Sequence, residues 1–339
     1  MDNKKINCNV CLNKITSGSI IFIHPFNNNI IHNECYDKLN SLVVNCSDNN
    51  YKYDPVKYLN FNNYITSKNI KISWGLDSIK SKYNNNMINI VVYFEEPNYL
   101  GIQDIDYSCD NYDIKLTLCK YTSQEFNKKN INKLNKKCYN VFFPIDTVYL
   151  KNNLWNKYNY KLGTCIPYWK KINVVYIGHE MYKLITEFKQ IMNKYNNNYI
   201  LSVPDYLSKM DSYLHSKIAI VHNILICQDN NNDIFKNIKS KLPIFKDKDN
   251  IPQIKSRLFE AASSQCIILC YRDDYNLIED YFKEGEDFIY FDSSEHLDKL
   301  IKIILDDYEK YSYIALNAYK KFINNYTLKH FCDKYINIY

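Results

Sequence analysis

The chain has 339 residues, 46% of them hydrophobic, and a formal net charge of +6. That composition supports packed cores and excludes wholesale disorder, and the length suits two ordinary domains plus a small module. The positive charge is diffuse, without a basic block, which argues against nucleic acid as a partner.

No apolar run reaches the roughly eighteen residues that a membrane span needs. The opening MDNKKINCNVC lacks the apolar centre of a signal peptide. A cytoplasmic location is therefore expected, with the 12 cysteines as reduced thiols.

The first fifty residues carry Cys8-Asn-Val-Cys11 and, twenty residues further on, His32-Asn-Glu-Cys35. Thiolates and imidazole are zinc ligands, and four of them close a tetrahedron. A CxxC turn gives two ligands, and the HxxC pair gives two more from one face of a helix start. The segment between reads as a β-hairpin turning at Asn27-Asn28-Asn29. Knuckle, hairpin and helix resemble a treble-clef zinc module such as the first half of a LIM domain. The metal expected at Cys8, Cys11, His32 and Cys35 is structural, since four protein ligands leave no open position. His24 and Cys46 are spare candidates. The other reading is unliganded cysteines in a cysteine-rich chain. A zinc module here would also offer a surface for a protein partner.

A polar link near residues 47–68 follows. Short apolar strands are then expected at 70–74, 88–94, 114–119 and 139–143, with a helical stretch over 123–137. Alternation of strand and helix predicts a parallel sheet with helices on its faces. The second of these strands runs into Glu95-Glu96-Pro97. Ligands of open α/β sheets bind beyond the carboxyl ends of strands, so Glu95 and Glu96 are candidates for a catalytic base or an acceptor contact. Solvated carboxylates at a strand end are the alternative.

From Lys171 the pattern sharpens. A buried strand over 172–178 ends in Gly178-His179, and an amphipathic helix over 181–194 follows. Next come a strand at 199–203, a helix at 205–216, and a third strand at 218–223 ending in His222-Asn223. Residues 228–250 read as a polar loop. The stretch 252–292 reads as helix, buried strand, loop and second strand, and three helices close the chain at 294–309, 310–324 and 327–337. Of the 43 basic residues only two are arginine, Arg257 and Arg272, and both fall in 252–292. Where lysine serves nearly everywhere else, an arginine points to a need for planar, bidentate geometry.

RLFEAASSQCIILCYRDDYNLIEDYFKEGEDFIYFDSSEHLDKLIKIILDD resembles the donor-binding half of a group 1 glycosyltransferase of the GT-B fold, with the CgeB-like subgroup as the nearest type. Val141-Phe-Phe-Pro-Ile-Asp-Thr147 resembles the family's segment at the end of the first domain. The resemblance covers residues 85–335 and is strongest over 250–310; the zinc-like module lies outside it. It implies an α/β protein of two Rossmann-like domains, 51–150 and 151–339, behind the 1–50 module and with a helical C-terminal tail.

The implied activity is metal-independent transfer of a sugar from a nucleotide-diphospho-sugar, UDP- or GDP-linked, to a glycan, protein or small-molecule acceptor. Arg257, at a helix start, can fork onto phosphate oxygens, and Lys255 can add charge. Glu260, three residues on, can accept from ribose hydroxyls. Arg272 and His222 are further donor-binding candidates. His179, ending the first strand of this half, is a catalytic candidate, with a core or capping histidine as the alternative. The chain departs from many retaining members at Pro252, where they carry a glutamate eight residues before Glu260. That departure leaves stereochemistry open. It also keeps a second reading in play, a non-catalytic zinc-containing binding protein on a degenerate GT-B scaffold.

Overall fold

The fold is given by a computed structural model, which describes residues 21–23, 30–32, 43–46, 58–66, 70–74, 87–93, 112–131, 137–165, 167–178, 183–195, 198–201, 205–226 and 233–338. The chain divides into two compact units. One comprises Met1–Asn50, Asn60–Val141 and Cys332–Tyr339; the other comprises Tyr51–Leu59 and Phe142–Phe331.

In the first unit, β1 (Ile21–Ile23) and β2 (Ile30–His32) pair antiparallel. This is the hairpin read from the sequence. The zinc set lies outside the described residues at Cys8, Cys11 and Cys35, and His32 is the last residue of β2. A parallel sheet follows, made of β3 (Val43–Cys46), β4 (Ile70–Trp74), β5 (Ile88–Tyr93), β6 (Ile114–Thr117) and β7 (Lys137–Asn140). Its strands lie side by side in chain order, so the winding does not reverse. Ile72, Ile90, Val92 and Leu116 are fully buried, as near-continuous apolar runs in a parallel sheet require. Helix α1 (Lys120–Lys129) seals its Phe126 inside. Within the same unit the Asn337 side chain bonds Thr66 N–H and the Tyr64 carbonyl, which ties the end of the chain to residues 64–66.

In the second unit the parallel sheet holds β8 (Ile172–Ile177), β9 (Asn198–Leu201), β10 (Ser216–Val221), β13 (Ile267–Tyr271) and β14 (Ile289–Phe291). Its spatial order is β14-β13-β10-β8-β9. The winding starts at β8, goes outward to β9, then returns past β8 to β10, β13 and β14. The direction therefore reverses between β8 and β10. A small antiparallel pair, β11 (Ile224–Ile226) with β12 (Asn250–Pro252), sits directly after β10.

Alternation sorts the strand residues onto two faces. Val174, Tyr176, Ile218, Ile220, Ile267 and Leu269 share one core with Phe188, Leu297, Ile301 and Ile314, from helices α2 (Lys183–Met192), α6 (Ser294–Asp306) and α7 (Tyr308–Asn325). Helices α3 (Tyr206–Leu214) and α5 (Ser256–Ser263) pack against the strands and each other. The segment 228–250, read as a loop, contains helix α4 (Asp233–Lys241), which buries Phe235 and Ile238. Helix α8 (Leu328–Tyr335) ends the fold.

One buried cation stitches this unit. Lys170 Nζ donates to the Tyr213 and Leu214 carbonyls at the end of α3 (3.4 and 3.2 Å) and to the Ser264 carbonyl at the end of α5 (2.8 Å). Carbonyl ends of helices carry partial negative charge and lack intrahelical donors. Burial lowers the Lys170 pKa, while the neighbouring Cys266 opposes that shift.

Among the described residues no helix is long and apolar enough to cross a membrane. No group of three or more His, Cys, Asp or Glu there could hold a metal ion.

Candidate functional site

Open α/β sheets bind ligands at the carboxyl ends of strands where the winding reverses. In the second unit that place is the gap beyond β8 and β10. Three elements meet there: Gly178 just after β8, His222 and Asn223 just after β10, and the start of α5.

Asn223, fully buried, fixes the start of α5. Its carbonyl accepts from Gln253 N–H at 2.8 Å, and its side-chain oxygen accepts from Lys255 N–H at 3.3 Å. Lys255 contacts the Gln253 side-chain oxygen. Helices α3, α6 and α7 are closed at their N-termini by the side chains of Asp205, Ser293 and Asp307. The α5 N-terminus has no side-chain cap. Its first N–H groups and the positive end of its dipole are therefore available to an anion.

Arg257, in the first turn of α5, is partly buried, and its guanidinium reaches to β8. Nη1 donates to the Tyr176 hydroxyl at 2.8 Å and stands 3.2 Å from His222 Nε2. The guanidinium carbon lies 5.1 Å from the centre of the Tyr176 ring. Space for it exists because residue 178 is glycine. A Cβ there would stand 2.7 Å from Nη2 and 2.9 Å from Nη1 of Arg257.

His222 Nδ1 pairs with the Ile224 carbonyl at 3.2 Å, so Nδ1 carries the proton and Nε2 is left as an acceptor. Burial, then the charges of Arg257 and Lys255, push its pKa well below the ordinary histidine value. The imidazole is thus neutral beside the cation. Both direct partners of Arg257 are uncharged, and among the described residues no carboxylate lies within ion-pair distance of it. Glu260 acts on the guanidinium through space, and the guanidinium's neutral direct partners leave it chemically suited to an anion.

Glu260 faces elsewhere. It is 0% exposed, and the Lys209 ammonium of α3 stands 2.7 Å from each of its carboxylate oxygens. It is a buried carboxylate, ion-paired with Lys209, whose Oε2 accepts no hydrogen bond among the described residues.

Arg272 is engaged by two carboxylates. Its guanidinium bonds Glu284 at 2.6 Å and Asp292 at 3.1 Å and stacks over Tyr290. It is 41% exposed and already neutralised by two carboxylates, so it fastens the surface loop after β13 and does not join Arg257. Glu95, Glu96 and His179 lie outside the described residues. Pro252, at the place of the family's missing glutamate, is buried and pairs with Ile224 in the β11–β12 ladder. Sequence reading missed Tyr176, and the glycine that ends β8 was the one local sign of a close approach there.

Residues 211–337 match the family described as glycosyl transferase-like. The matched span takes in β10, the start of α5 with Arg257, and the helices that close the chain. No curated protein sequence matches the chain.

Among solved structures, the chain is similar to the C-terminal domain of a glycosyl transferase group 1 family protein, LpcC, from Francisella tularensis. That match has 13% identity and a TM-score of 0.28, over 42% of this chain and 62% of that one. It is similar to the pneumococcal O-GlcNAc transferase GtfA in complex with UDP and GlcNAc, at 9% identity and a TM-score of 0.44, over 95% and 62% of the two chains. It is also similar to Anabaena HepE in complex with UDP-glucose, at 9% identity and a TM-score of 0.39, over 77% and 75%. The chain thus spans 62% of the length of each of the first two.

Proposed function

We propose that the chain is a GT-B glycosyltransferase whose second unit binds the diphosphate of a nucleotide sugar at Arg257. The observation that carries this reading is the guanidinium at the winding reversal, held by Tyr176 and His222, with no carboxylate beside it among the described residues. The glycosyl transferase-like match over residues 211–337 supports the choice of ligand.

The chemistry follows from charge. In glycosyl transfer the bond from the anomeric carbon to the diphosphate oxygen breaks, and its electron pair stays on that oxygen. An acceptor oxygen or nitrogen forms the new bond and releases its proton. Negative charge therefore grows on the departing diphosphate. Fixed cations and helix N–H groups that need no rearrangement stabilise it. Arg257 supplies a planar fork, Lys255 a nearby ammonium, and α5 its uncapped N-terminus. Glu260 is assigned a positioning role, anchoring α5 to α3 through Lys209. Glu95, Glu96 and His179 stand as proposals for the acceptor side and the catalytic step.

Cys8, Cys11, His32 and Cys35 are assigned to a structural zinc. The acceptor, whether glycan, protein or small molecule, follows from the reaction class alone. The second reading, binding without transfer, is favoured by one observation, Pro252 in a strand ladder where a sugar-holding glutamate would be. The test of the main reading is binding of nucleoside diphosphates to wild type and to Arg257→Ala, followed by an assay for release of nucleoside diphosphate from UDP- and GDP-sugars. Binding without any turnover favours the second reading.

A further inference from the structure

Resting on the reading of the Arg257 cluster as a diphosphate site, we infer that the side-chain oxygen of Asn276 accepts a hydrogen bond from a hydroxyl of the donor's sugar.

Asn276 lies in the loop after β13. In the β10–β13 register Val221 pairs with Cys270, so this loop leaves the sheet at the same carboxyl edge as His222 and Asn223. Asn223 Nδ2 stands 3.7 Å from Cys270 Sγ, and the Tyr275 hydroxyl donates to the Asn250 carbonyl of β12 at 3.0 Å. The loop therefore flanks the strand that leads through Gln253 into α5. Pro252, two residues after Asn250, offers a ligand no side-chain acceptor from that strand.

The backbone of Asn276 is left-handed, with φ 48°. Asparagine is tolerated there because its short side chain can bond the nearby backbone. Here the side-chain oxygen does not. The turn is held by Asp273 instead, whose Oδ1 accepts from Tyr275 N–H at 2.8 Å and Asn276 N–H at 3.1 Å. Asn276 Oδ1 is buried and accepts no hydrogen bond among the described residues. Gln265, with φ 54°, shows the contrast: its side chain accepts from Gly163 N–H at 2.8 Å and donates to the Thr164 carbonyl at 2.6 Å.

A buried acceptor without a donor destabilises the fold, and a strained residue that carries one at a ligand site is accounted for when the ligand brings the donor. An amide oxygen takes a hydroxyl and repels a phosphate, so the diphosphate is not its partner. Hydroxyls lie at the two ends of the ligand, on ribose and on sugar. Glu260 faces α3, whereas Asn276 borders β12, where Pro252 leaves the sugar without a carboxylate.

Calorimetry on the full chain compares UDP with UDP-glucose and UDP-N-acetylglucosamine, and GDP with GDP-mannose, on wild type and on Asn276→Gly. Glycine adopts the left-handed backbone without steric cost, and both Asp273 bonds to the turn remain, so the variant keeps the loop. We expect Asn276→Gly to weaken the nucleotide sugar by about fivefold or more and to leave the matching nucleoside diphosphate within about twofold. An unchanged nucleotide-sugar affinity, an equal loss for both ligands, or a wild type that binds the diphosphate but no nucleotide sugar overturns the inference and leaves the diphosphate reading intact. Failure of every ligand to bind wild type removes the diphosphate reading, and the inference with it.

Discussion

Arg257 lies where the side chain of residue 178 would be. The Cβ that Gly178 lacks would stand 2.7 Å from Arg257 Nη2 and 2.9 Å from the Tyr176 hydroxyl. Contacts below about 3 Å at a carbon are repulsive, and both the flexible arginine and the buried Tyr176 hydroxyl would have to yield. Gly178 has no positive φ, so alanine suits its backbone. Gly178→Ala is therefore expected to move the guanidinium and cost about 1–3 kcal/mol of stability. Nucleoside diphosphate affinity should fall by about tenfold or more, because each charge-assisted bond to phosphate is worth at least that. Unchanged affinity in calorimetry would show that Arg257 does not need this space.

The Lys209–Glu260 pair gives a stability prediction. Glu260→Leu alone strands an ammonium in the interior and should cost about 3–5 kcal/mol. Lys209→Met/Glu260→Leu should recover most of that loss. Urea unfolding of the two variants measures it. Equal stability of the single and double variants would mean that the pair does not form.

His222 sets a pH dependence. Its folded pKa lies well below the ordinary 6.5, through burial first and then Arg257 and Lys255. As pH falls through the unfolded value, the unfolded chain takes a proton that the folded chain refuses. Stability is therefore full above that value and declines as pH drops toward the folded one. Between about pH 7.5 and 5.5 the loss from this group is about 1.4 kcal/mol, and His222→Gln should lose less over that range by the same amount. Urea midpoints at the two pH values decide it; parallel losses would place the histidine in water.

Elemental mass spectrometry tests the zinc assignment. The purified chain should carry about one zinc, and Cys8→Ser/Cys11→Ser should abolish it, since both thiolates of the knuckle are then gone. A metal-free wild type purified without chelator would contradict the assignment.

Much of the second unit was legible in the sequence because its strands are short apolar runs set between amphipathic helices. The strands expected at 172–178, 199–203 and 218–223 appear as β8, β9 and β10 with ends shifted by one to two residues. Helix α4 was hidden because Phe235, Ile238 and Leu242 are separated by Lys, Asn and Ser, and that polar background reads as loop. The three-residue strands β11 and β12 are too short to show a period.

The site was half legible. The rarity of arginine singled out Arg257 and Arg272; the planar fork of Arg272 holds two surface carboxylates, while that of Arg257 meets only neutral partners directly. What Arg257 and Glu260 touch could not be read. Tyr176 is 81 residues from Arg257, and Lys209 is 51 from Glu260. Such pairs are made by the winding of the sheet, and no local pattern encodes them.

The central claim is that Arg257 is the anion-binding cation of a nucleoside diphosphate site. The most direct measurement is thermal unfolding of wild type and Arg257→Ala with and without saturating UDP or GDP. Ligand at a hundred times its dissociation constant stabilises the folded state by about 2.7 kcal/mol. The account predicts a rise of several degrees for wild type with at least one nucleotide and none for Arg257→Ala. An equal rise in both proteins, or none in either, would contradict it.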